Sequence, residues 1–273
     1  MQRKAQFSGS FYQRFAEPLK RDMDKWFTEF PVCPQSSEQI LGIIVPHAGY
    51  MYSGNCAAIG YHRMQSQNYD SLIILHPSHR GAHFDFNVSP FTEYETPFGI
   101  IKQDKEVYDQ LLMRENHKIE NWYNLNEHSM EIQLPFIQRC FPDVPVNAIM
   151  IGNQTPEVAQ RLALHLNDII AKSSKRIGII VSTDLSHYRS AEKAEQLDTL
   201  LIKHVHDLAP ELLWQDFQTE KTEACGIGGI LCLMYLSKKY RQSRAKILDY
   251  THSGRITGEL DQVVGYLSAV ITI

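Results

Sequence analysis

Three short apolar runs, each closed by a histidine, constrain this chain more than any other feature. Ile40-Leu-Gly-Ile-Ile-Val45 leads through Pro46 to His47, and Leu72-Ile-Ile-Leu75 leads through Pro77 and Ser78 to His79. Ile177-Gly-Ile-Ile-Val181 leads through Thr183 and Asp184 to His187. Runs this rich in β-branched residues mark strands buried on both faces, as in parallel sheets covered by helices. Helix-period stretches lie between them, the clearest over residues 157–172 with Val158, Leu162 and Leu166 inward. The alternation predicts one three-layer α/β domain over residues 1–273, with a mostly parallel central sheet flanked by helices. The closing strands, 246–250 and 263–273, are the ones free to run antiparallel. Ligands of such sheets bind beyond the carboxyl ends of the strands, so three imidazoles are expected to converge on one crevice.

Composition narrows the partners. A chain of 273 residues with 43% hydrophobic and 21% charged residues has enough apolar mass for a sizeable core. The formal charge of −4 gives no electrostatic case for nucleic acid. No apolar run approaches the roughly 18 residues of a membrane span, and the amino-terminal residues have no secretory h-region. Five widely spaced cysteines without a Cys-x-x-Cys predict reduced thiols and a cytoplasmic protein rather than a disulfide framework.

Each candidate group has a plainer alternative. His47 and His79 are metal-ligand candidates because rigid strand ends hold neutral imidazoles well; either alone would be an ordinary loop residue. His76, closer to the strand, is expected to play a supporting part. Asp184 and His187 form an Asp-x-x-His pair, in which the carboxylate either orients the imidazole for proton transfer or caps a helix. Glu127, His128 and Glu131 open a helix expected over residues 127–140, where His128 is a catalytic candidate and acidic residues also suit the helix dipole. Cys225 precedes Gly226-Ile-Gly-Gly229 and a helix, a setting that would favour a thiolate acting as nucleophile or soft metal ligand. Tyr50, Tyr52, Phe91 and Tyr94 are expected to line a pocket beside His47 for a small-molecule or peptide ligand.

These residues together carry a resemblance. Pro-His-Ala-Gly-Tyr at 46–50, Pro-Ser-His at 77–79, Asn-Glu-His-Ser-Met-Glu at 126–131, Ser-Thr-Asp-Leu-Ser-His at 182–187 and Cys-Gly at 225–226 look like the MEMO family. In bacteria and archaea this is protein B of the AmmeMemoRadiSam system. Gly-Ser-Phe-Tyr at 9–12 and Leu-Asp-Tyr at 248–250 also fit, so the resemblance covers nearly the whole chain. It implies a LigB-like fold, similar to the class III extradiol dioxygenases, in which two histidines and a glutamate hold Fe(II). Carried over by motif, those positions fall on His47, His79 and Cys225, and the acid–base histidine falls on His187. Thiolate in place of carboxylate turns the site toward iron or copper, with zinc as the third candidate. The resemblance also implies other AmmeMemoRadiSam components as partners. Three functions stay open at this point: a metal-dependent, dioxygenase-like oxidoreductase; a metal-free hydrolase with Cys225, His187 and Asp184; and an adaptor module for a peptide or metabolite.

Overall fold

The computed structural model describes residues 1–28, 38–81, 83–113 and 121–273. Cys33, the loop expected over 31–37 and the helix ends expected at Phe30 and Arg114 lie outside the described residues. The apolar runs form strands β1 (Ile40–Val45) and β2 (Ser71–Pro77), followed by β3 (Phe86–Val88), β4 (Val146–Ile151), β5 (Ile177–Ser182), β6 (Arg244–His252) and β7 (Val263–Thr272). Their order across the sheet is β6-β7-β1-β5-β2-β4-β3, and the short strand His187–Arg189 also pairs with β7. The four central strands, β1, β5, β2 and β4, are parallel to one another. β7 runs antiparallel to both β1 and β6, and β3 antiparallel to β4.

Period-2 alternation sorts the strand residues between two cores. Ile73 and Leu75 face one core, shared with the helices Pro156–Lys172 and Ile227–Ser237; Leu72 and Ile74 face the other, shared with Ala16–Thr28 and Tyr50–Met64. Every residue of the four parallel strands is buried. This accounts for the unbroken apolar runs: helices cover both faces, so no position alternates to solvent. The result is one mixed α/β domain. A second small sheet pairs Gln2–Arg3 with the Glu93–Thr96 strand, which continues through a hairpin to Gly99–Lys102.

Local expectations fail where side chains outvote pattern. The helix expected from Asn55 starts at Tyr50, despite the glycines around it. Gly54 is there for contact, since a Cβ on it would lie 2.3 Å from the Trp26 ring. The single helix expected over 127–140 is two, His128–Glu131 and Leu134–Cys140. Pro135 sits in the first turn of the second, where its missing N–H costs nothing but where it cannot continue a preceding helix. The loop expected at 121–125 is a short helix, with Asn124 buried and its amide donating to Asn87 Oδ1 at 3.0 Å.

Candidate functional site

Because β1, β5 and β2 are adjacent and parallel, the segments after them leave the sheet at one edge. His47, His79 and His187 therefore line one cavity of about 650 Å³, as expected, together with His128 and Asp184. Ring centroids lie 5.3 Å apart for His47 and His79, 5.3 Å for His47 and His128, and 4.6 Å for His79 and His128. One nitrogen from each of these three rings lies within 4.8 Å of the others. Among the described residues, this is the set whose spacing fits one metal ion.

Each ring has a built environment. His79 Nδ1 is 2.8 Å from Glu127 Oε1, and its backbone N–H donates to Oε2 at 2.7 Å. Burial would raise the Glu127 pKa, but the hydrogen bond and charge of His79, with His76 and His128 behind it, hold the carboxyl well below the usual carboxylate range. Glu127 is thus an ionised acceptor, so His79 donates from Nδ1 and Nε2 is the nitrogen left to act as a ligand. Glu127 also caps the next helix, accepting from the Ser129 N–H at 3.0 Å, which places His128 one residue beyond the cap. Burial, reinforced by the neighbouring imidazoles, keeps His47 neutral and pushes His128 down to about 3. His76 stands behind the cluster, its Nδ1 3.0 Å from Ser129 Oγ, in the supporting role expected of it.

Cys225 joins this group through one member, its Sγ lying 3.2 Å from His47 Nε2. The thiolate expected from the following helix is not what the fold provides. The first N–H groups there are taken by other partners, Gly226 donating to Thr183 Oγ1 and Gly228 to Gln154 Oε1, both at 2.9 Å. The sulfur has the Asp184 N–H at 3.2 Å and, more distantly, the Thr183 hydroxyl at 3.8 Å. Burial, followed by the negative Asp184 nearby, pushes the thiol well above its ordinary pKa. Gly226 serves packing instead: a Cβ there would sit 2.7 Å from the Ser182 carbonyl oxygen, so glycine lets the helix close on the end of β5.

Asp184 and His187 divide differently from the expected pair. Asp184 Oδ1 accepts the His47 N–H at 2.7 Å, so the carboxylate steadies the His47 loop. Burial pushes its pKa up against the opposing His47 N–H. The carboxylate that His187 approaches is Glu223, 3.9 Å from Nδ1. Cys225 therefore meets His47, and the geometry does not assemble Cys225, His187 and Asp184 into a nucleophile–base–orienter chain.

The pocket aromatics are partly others than expected. Tyr52 lines the cavity, with Phe11, Tyr188 and Tyr266. Phe91 and Tyr94 are 1% and 0% exposed, held in the core beneath the hairpin rather than at the cavity. Tyr50 is also buried, its hydroxyl donating to the Ile132 carbonyl at 2.8 Å, and it borders an adjoining hollow. Phe11 had no assigned role in the sequence, although its Gly-Ser-Phe-Tyr setting belonged to the resemblance. Its ring packs 4.8 Å from His128, and its carbonyl accepts the Tyr50 N–H at 2.8 Å. Among the described residues, no helix is long and apolar enough to cross a membrane.

The sequence pattern of the family described as "Memo-like protein" matches residues 3–270. A MEMO1 family protein of Methanosarcina mazei is 34% identical over 272 residues, covering 98% of both chains. One from Saccharolobus solfataricus is 37% identical over 282 residues, covering 98% of this chain and 99% of its own. One from Thermotoga petrophila is 32% identical, covering 99% of this chain and 100% of its own. A solved structure of an uncharacterised Escherichia coli K12 protein superposes with a TM-score of 0.48 at 11% identity, covering 84% of this chain and 99% of that one.

Proposed function

The chain belongs to the Memo-like protein family, and from that premise we propose that it works through one transition-metal ion, iron or copper, held beside its cavity. The observation that carries this reading is the cluster of His47, His79 and His128, three neutral or outward-presenting imidazoles with donor nitrogens inside 4.8 Å. The donor set fits such an ion. Neutral imidazole suits iron, copper and zinc, and a carboxylate behind a ligating histidine, as Glu127 stands behind His79, is the usual outer partner. His47 and His79 are the core ligands in this reading. Cys225, against His47, supplies the soft donor, and His128 the remaining nitrogen. Bound there, the ion would supply one-electron and oxygen-type redox chemistry beside the cavity.

This chain's own residues do the rest. The aromatic walls Phe11, Tyr52, Tyr188 and Tyr266 hold a small-molecule or peptide ligand. His187, on the cavity wall but outside the ligand cluster, moves protons in this reading. The hydrolase reading loses ground because Cys225 is a high-pKa thiol aimed at His47. The free thiols Cys56, Cys140, Cys225 and Cys232 accord with a cytoplasmic protein.

Metal content of protein purified without added metal, and after loading with Fe(II) or Cu(I), tests the proposal. His47→Ala and His79→Ala should lose the ion, Cys225→Ser should lose Cu(I) more than Fe(II), and His187→Ala should keep it. Equal occupancy in all four variants would refute the ligand assignment.

A further inference from the structure

His47 and His79 are both fixed from behind by one short segment, residues 127–133, although the two histidines come from different strands. For His79 the partner is Glu127. For His47 it is less direct and runs through Ser182, the last residue of β5, whose hydroxyl oxygen lies 3.0 Å from His47 Nδ1.

Three groups surround the Ser182 hydroxyl, and their chemistry fixes its single proton. The Gln133 amide nitrogen, 2.8 Å away, can only donate to it. The Ser129 carbonyl oxygen, 2.7 Å away, can only accept from it. The Ser182 proton therefore goes to Ser129, and the oxygen has one lone pair for Gln133 and one left for His47. The imidazole must then donate from Nδ1, which leaves Nε2 bare. Gln133 is itself held: its side-chain oxygen accepts the Tyr61 hydroxyl at 2.9 Å, and its amide also donates to the Pro46 carbonyl at 2.9 Å. The amide cannot be flipped without setting oxygen against oxygen at Pro46. All of Ser129, Gln133 and Ser182 are fully buried, so no solvent substitutes for any of these partners.

We propose that Ser182 is a positioning residue that locks His47 in the Nδ1–H tautomer, with the proton direction set by the Ser129 carbonyl and the Gln133 amide. Its purpose rests on the metal-centre reading: the lock keeps Nε2 deprotonated and pointed as a donor before any ion arrives. Glu127 does the same for His79 from the other end of the segment, so a shift of residues 127–133 would disturb both rings together.

The test uses metal-free, ¹⁵N-labelled full-length protein and long-range ¹H–¹⁵N spectra of the histidine rings, with Fe(II) and Cu(I) titrations alongside. In the wild type, His47 should show a protonated Nδ1 and a bare Nε2. Ser182→Ala should release the lock, giving mixed tautomers at His47, and weaken metal binding by about 10–100-fold, the usual cost of losing such a partner. Ser182→Thr, which keeps the hydroxyl, should restore the tautomer. His79, governed by Glu127, should be unchanged in both and reports that the fold is intact. A proton on Nε2 of His47 in the wild type would overturn the inference, even if Ser182→Ala failed to fold. So would unaltered tautomer and affinity in Ser182→Ala. A locked Nδ1–H with no metal bound would support the lock while removing the metal reading.

Discussion

Glu131→Gln lowers the folding stability by about 3–5 kcal/mol, the range for breaking a buried ion pair from one side. Glu131 is fully buried, and its carboxylate takes Arg3 Nη1 at 2.5 Å, the Tyr12 hydroxyl at 2.8 Å, and the Phe7 and Gln6 N–H groups at 2.8 and 3.1 Å. Every one of these partners is a donor. A glutamine there must turn its own N–H groups toward some of them, and it leaves the Arg3 guanidinium buried without a counter-charge. Burial, together with the Glu131 charge, pushes the Tyr12 pKa up, so that hydroxyl stays a donor as well. Arg3→Met should cost a similar amount, because it leaves the Glu131 carboxylate buried without a counter-charge and takes the donor from the Asn124, Leu125 and Glu127 carbonyls. Chemical denaturation of both variants checks this; a loss below about 1 kcal/mol in either, the range of an exposed pair, would contradict the account. The same change reaches the cavity, because the segment held by Glu131 carries Phe7 and Phe11, packed 5.7 and 4.8 Å from the His128 ring. Arg3 Nη2 also donates to the Glu127 carbonyl at 2.9 Å, tying the amino-terminal segment to the residue behind His79.

The second large effect is on pH dependence. Between about pH 7.5 and 9, above the ordinary titration of histidine, metal affinity should rise about tenfold per pH unit. The sign follows from the thiol. Burial and the Asp184 charge hold Cys225 protonated in this window, so binding must expel its proton, and each rise in pH weakens that competition. His47 and His128 release no proton there, because burial already keeps them neutral, His128 with a pKa of about 3. Cys225→Ser should therefore flatten the dependence as well as weaken Cu(I). Competition with a chromophoric chelator across the window measures both slopes. A flat profile in the wild type would mean that the three imidazoles hold the ion without the sulfur.

What the sequence made legible is what local pattern encodes. The β-branched runs at 40–45, 72–75 and 177–181 declared buried parallel strands, and parallel neighbours with equivalent loops necessarily put His47, His79 and His187 at one edge. Long-range polar pairing was not legible. Arg3 and Glu131 are 128 residues apart, and no spacing rule joins them. His128 joins the cluster because Glu127 caps a one-turn helix that Pro135 keeps separate from the next, where the apolar pattern alone suggests one continuous helix. The thiolate expected at Cys225 differs from the structure for an electrostatic reason. A helix start favours a thiolate only when its N–H groups are free, and here Thr183 and Gln154 take them. Loop context suggests a pocket for Phe91 and Tyr94, but Tyr94 lies on the Glu93–Thr96 strand and both rings pack into the core.

The central claim, one transition-metal ion held at His47 and His79, is tested most directly by an anomalous-difference map. Crystals grown with Fe(II) or Cu(I) under reducing conditions, measured on either side of the metal's absorption edge, suffice. The account predicts one peak at the cavity wall, within bonding distance of a ring nitrogen of His47 and of His79, with His128 and the Cys225 sulfur beside His47 completing the site. A peak bonded to neither histidine, or a cavity without a peak in metal-loaded crystals, would contradict it.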